Sequence, residues 1–81
     1  MLDLRYSLVI EATADPLFFS FYSPTLEGFT GVGSSVEDCL YKARFGMDEH
    51  VALLRERKLL VPSPEPEPTV LVRNAGKSEA A

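Results

Sequence analysis

Apolar residues recur at Val36, Cys39, Leu40, Ala43, Met47, Val51 and Leu54. Steps of three and four place all of them on one stripe of a 3.6-residue helix. The spacing predicts a single long helix from Ser34 to Lys58, and an amphipathic helix of that length must bury its stripe against another layer. Both ends carry the expected signals. Ser34 has Glu37 three residues on and Ser35 has Asp38, so either serine offers a capping-box pairing. Glu37 and Asp38 sit where the helix dipole favours negative charge, and Arg55, Arg57 and Lys58 where it favours positive charge. Pro62 bars any continuation.

The rest of the chain supplies short strands to cover that stripe. Residues 3–12 alternate: Leu4, Tyr6, Leu8 and Ile10 point one way, and Asp3, Arg5, Ser7, Val9 and Glu11 the other, as in a half-buried strand. Residues 12–16 have the composition of a turn. Leu17–Tyr22 reads as a second strand, antiparallel to the first. Its two faces, Leu17/Phe19/Phe21 and Phe18/Ser20/Tyr22, are both largely apolar, so one is expected to meet a partner chain. Ser23-Pro24-Thr25 breaks the strand, and Phe29–Gly33 forms a third. Residues 61–68 place proline at alternate positions and predict a stiff, polyproline-like connector. Residues 69–73 have strand composition and either complete the sheet or pair with another subunit. The expected fold is α+β in the order β-β-β-α-β: a three-stranded antiparallel sheet, one long helix on one face and a short fourth strand. The expected organisation is a domain over 1–61, a connector over 62–68, a strand over 69–73 and a tail over 74–81.

A chain of 81 residues buries only about 60% of its unfolded surface, so self-association is expected. One cysteine forbids an intrachain disulfide and fits a reducing, cytoplasmic setting. The N-terminus has an early acid and lacks a basic segment ahead of a long apolar core, so it does not read as a signal peptide. No apolar run approaches the ~20 residues that span a membrane. A net charge of −4 argues against nucleic acid as the main partner and suits a basic protein.

Chemistry-bearing residues are sparse. His50 stands alone beside the helix stripe and reads as structural. Cys39 lies on the stripe and reads as a small buried hydrophobe rather than a reactive thiol. One histidine and one cysteine do not make a zinc site. Gly28-x-x-Gly31-x-Gly33 precedes the helix but is not a phosphate-loop pattern, and Glu37 and Asp38 oppose an anion there. Spacing selects no pair among Glu11, Asp15, Glu27, Glu37, Asp38, Asp48 and Glu49; Asp38–Lys42 and Arg44–Asp48 read as i,i+4 pairs on a solvated face. No catalytic residue, cofactor or metal is expected.

The ordered series Val9-Ile10-Glu11, Phe19-Ser20-Phe21, Leu26-Glu27-Gly28, Gly33-Ser34-Ser35-Val36-Glu37-Asp38 and Pro62-Ser63-Pro64 resembles the HicB-like antitoxins of bacterial toxin–antitoxin systems. The resemblance runs from Tyr6 to about Leu60. The loop from Tyr22 to Leu26 is longer than the family's, Glu27 replaces a common proline, and Phe29-Thr30 is displaced by one position. The resemblance implies a partial RNase H-like fold without its nuclease site, and a protein that binds a small basic mRNA-cleaving toxin and occludes it. Direct DNA binding is not expected without an added domain. Within that reading Glu11 and Asp15 are the candidate charged contacts, and Phe18 and Tyr22 the apolar anchors. Packing within a homodimer is the alternative for Phe18 and Tyr22. The rival functions are a stand-alone homo-oligomeric scaffold or regulatory binding module, and a residual Mg²⁺-dependent nuclease.

Overall fold

The computed structural model describes residues 4–14 and 17–74. Its helix, α1, spans Val36–Glu56. Of the two possible caps, Ser35 is the one used: its Oγ accepts the Asp38 N–H at 3.0 Å, while the Asp38 carboxylate accepts the Ser34 N–H at 2.9 Å. Those bonds, with Lys42 beside it, hold the Asp38 carboxyl below the ordinary carboxylate value. Cys39, Ala43, Met47 and Val51 are buried, and Val36, Leu40 and Leu54 pack against them, so the predicted stripe is the buried one. Removing side chains the size of Met47 and Val51 from water contributes about 2 kcal/mol each.

The helix stops two residues before the predicted end. Arg57 is its C-cap, Lys58 turns left-handed at φ 59°, and the chain closes with Lys58 N–H on Arg55 O and Leu59 N–H on Leu54 O. These two bonds are the Schellman arrangement that satisfies the last helical carbonyls.

Among the described residues four strands form one mixed sheet: β1 Leu8–Ala14, β2 Leu17–Tyr22, β3 Thr30–Gly33 and β4 Val70–Asn74. Their spatial order is β3-β2-β1-β4. β1 and β2 are antiparallel, as are β2 and β3, whereas β4 lies parallel to β1. The strand over residues 69–73 therefore completes the sheet within the chain, on the side of β1 away from β2. Leu8, Ile10 and Phe21 point under the helix with Tyr6, Leu26 and Phe29 to form the core. Phe21 lies over Gly31 opposite it, where a Cβ would collide with the ring.

β1 starts later and runs further than its alternation suggests. It continues to Ala14 because Ala14 pairs with Leu17, which leaves only residues 15 and 16 between the strands. At its start, residues 5–7 bond to the proline tract instead of a strand. The Glu65 N–H donates to Arg5 O at 2.8 Å, and the Tyr6 hydroxyl donates to Pro62 O at 2.6 Å. The tract is thus a strap tied along the beginning of the chain, and it delivers β4 to β1, where the Leu8 N–H takes Thr69 O at 2.9 Å.

Candidate functional site

Side chains alternate along each strand, so the sheet has one face under α1 and one turned away from it. The register assigns Val9, Glu11 and Thr13 of β1, Phe18, Ser20 and Tyr22 of β2, Val32 of β3, and Leu71 and Arg73 of β4 to the outer face. The helix leaves this face uncovered. Val32 is 58% and Leu71 50% exposed, and Phe18 and Tyr22 are half-buried by their strand neighbours. Val9, expected on the wet side, is buried between Tyr22 and Leu71.

Arg73 ties the centre of this face together. Its Nη2 lies 2.7 Å and its Nε 2.9 Å from Glu11 Oε2, and Nη2 also donates to the Tyr22 hydroxyl at 3.3 Å. The hydrogen bond and charge of Glu11 push the Arg73 guanidinium further up. Of the four sequence-predicted residues, the structure brings Glu11 and Tyr22 together through this arginine. Phe18 lies four residues along β2 from Tyr22, roughly 13 Å away. There it borders a shallow depression with Val32, Gly33, Asp38 and Lys42. Asp15 lies outside the described residues. Arg73 was not among the residues singled out from the sequence; its partner Glu11 is 62 positions away and no local pattern links them.

A second exposed feature follows from i,i+4 spacing on the helix. On the solvent side of α1, Tyr41 and Phe45 meet edge to face at 5.0 Å, with Arg44 5.6 Å from the Phe45 ring centre. His50 is held structurally: its Nε2 bonds Glu27 O at 3.1 Å and its ring meets Phe29 edge-on. Cys39 is fully buried, and burial pushes its thiol pKa up. Asp38 pairs with Lys42 at 3.2 Å, while Asp48 pairs with Arg5 at 3.2 Å. Among the described residues, no three His, Cys, Asp or Glu side chains converge as a metal set, and no helix is long and apolar enough to cross a membrane.

No protein-family model, curated protein or solved structure matches this chain.

Proposed function

We propose that this protein is an antitoxin-like binding module of the HicB type, with a partial RNase H-like fold, that occludes a small basic mRNA-cleaving toxin in the cytoplasm and catalyses nothing itself. The observation that carries this reading is the uncovered outer sheet face, where Phe18, Tyr22, Val32 and Leu71 surround the Glu11–Arg73 pair. Aromatic anchors around an arginine have the composition of an interface centre. The β-β-β-α-β order supports the fold assignment. Given that fold, the chemistry of the strands favours binding over catalysis: β4 carries no acid, and Glu11 of β1 is paired with Arg73. With Glu11 paired to Arg73, the apolar anchors contribute more to affinity than charge does, and the pair offers its remaining acceptor and donor groups at the centre of the face.

Co-expression with a small basic protein encoded next to this one tests the reading. The expected result is a stable complex and restored growth, both lost with Tyr22→Ala or Phe18→Ala. Toxicity that this chain leaves unrelieved, with no complex formed, overturns it. A second reading, a homo-oligomeric scaffold without a toxin, is favoured by the outer edge of β4, which no strand among the described residues covers.

A further inference from the structure

We infer that β4 pairs antiparallel with β4 of a second copy of this chain across a two-fold axis at Val72, joining two sheets into one. The inference rests only on the self-assembling part of the reading above. The absence of a toxin complex leaves it intact, and a monomeric protein leaves the toxin reading intact.

The backbone of β4 is set for this pairing. Its ladder with β1 is parallel, with Leu8 opposite Val70 and the Leu8 N–H on Thr69 O. In a parallel ladder of that register, Leu71 and Arg73 turn their backbone groups toward β1. Val70, Val72 and Asn74 then turn both N–H and C=O to the outer edge, where no described strand lies. Antiparallel pairing about Val72 opposes Val72 to its own copy and Val70 to Asn74, so each outward donor meets an outward acceptor.

The side chains fit the same axis. Val72 is 47% exposed on the helix side of the sheet, and the two copies come together at the axis. On the outer side Leu71 lies against the stem of the other copy's Arg73. The two Arg73 residues do not oppose each other, and each is already neutralised by Glu11 at 2.7 Å.

The two edges of the sheet differ in how they are protected. β3 is four residues long, contains Gly31 and Gly33, and has its Val32 carbonyl capped by Lys42 Nζ at 3.1 Å. Short edges and lysines are usual guards against strand addition, and glycines weaken the strand itself. β4 has no proline, glycine or lysine over Val70–Asn74.

Sedimentation of the full chain from about 1 μM to about 1 mM, a range covering weak to moderate affinity, reads the proposal directly. The expected result is a concentration-dependent dimer. Val72→Pro removes an outward N–H that β1 does not use, which edge strands tolerate, and Val72→Lys places two cations at the axis. Each should weaken dimerisation by about tenfold or more while circular dichroism stays that of the parent. Where the proline variant fails to fold, the lysine variant decides. A monomer throughout the range overturns the inference, as does a dimer that the folded variants leave unchanged.

Discussion

The Glu65 carboxylate accepts the Ser7 backbone N–H at 2.8 Å and the Ser7 hydroxyl at 2.7 Å. It also takes the Thr25 hydroxyl at 2.6 Å, and Ser7 Oγ in turn accepts the Thr69 N–H at 3.0 Å. One acidic side chain in the proline tract thus ties together the start of β1, the loop after β2 and the entry to β4. Charge-assisted bonds of this kind are stronger than neutral ones. Replacing Glu65 with Gln keeps one acceptor oxygen for the Ser7 N–H and the Thr25 hydroxyl but removes the charge and turns an NH2 donor toward the Ser7 hydroxyl. We expect E65Q to lower the thermal midpoint, and E65A to do the same while also raising amide exchange at Ser7, Leu8 and Glu65. Unchanged exchange at those amides would show that the strap holds without its carboxylate.

The same bonds set a pH dependence. The Ser7 backbone N–H first, then the Thr25 and Ser7 hydroxyls, hold the Glu65 carboxyl below its ordinary value of 4.5. Its pKa is therefore lower in the folded chain than in the unfolded one, and the unfolded chain takes up the proton first. The contribution of Glu65 to stability is complete above the ordinary value and is lost as pH falls through the folded one. Denaturant midpoints measured downward from about pH 5 should fall, and E65Q should fall less steeply than the parent.

Lys58 holds φ 59° at the position after the helix cap, where glycine is the usual occupant. A side chain in that conformation costs about 1 kcal/mol relative to glycine. Lys58→Gly should therefore stabilise the protein by about 1 kcal/mol in urea titration, despite the greater freedom of glycine in the unfolded chain.

The helix is legible because a 3.6-residue period carries both its position and its buried face. Every residue from Val36 to Leu54 assigned to the stripe packs inward. β2 is legible because Pro16 and Pro24 bound its apolar run. The path of the proline tract is not, since Glu65 and Glu67 occupy equivalent places between prolines and only the fold selects Glu65 to face Ser7, 58 positions away. The same holds at the outer face. Alternation places Glu11 and Tyr22 on one side of their strands, but the arginine that joins them arrives on a parallel strand, and its register depends on the strap.

Gly31 lies directly beneath Phe21, whose ring is also 5.8 Å from that of Phe29. The missing side chain gives the ring its place in the core, a role distinct from the turn or bulge that glycines in a strand suggest. Gly31→Ala forces the ring out of its position and should cost about 2 kcal/mol, within the range for overpacked cores. Phe21→Leu relieves the collision, so the double variant should lose less than the two single losses combined. A coupling energy near zero in that cycle would show that the ring moves aside freely.

The Cys39 thiol sits on the buried stripe, fully excluded from solvent, with its Sγ 4.0 Å from Phe19 O and its pKa raised by burial. Thiolate is the reactive form, so both its scarcity and its inaccessibility protect this side chain. A disulfide reagent at pH 8 should leave Cys39 unmodified in the native protein and label it completely in denaturant. Between those limits the labelling rate should follow the unfolded fraction, because access requires α1 to leave the sheet. Cys39→Ala removes the sulfur and should cost about 1 kcal/mol through the cavity it leaves. Cys39→Ser brings a hydroxyl into the same apolar place and should cost more than the alanine. Fast labelling under native conditions would mean that the helix opens locally without global unfolding.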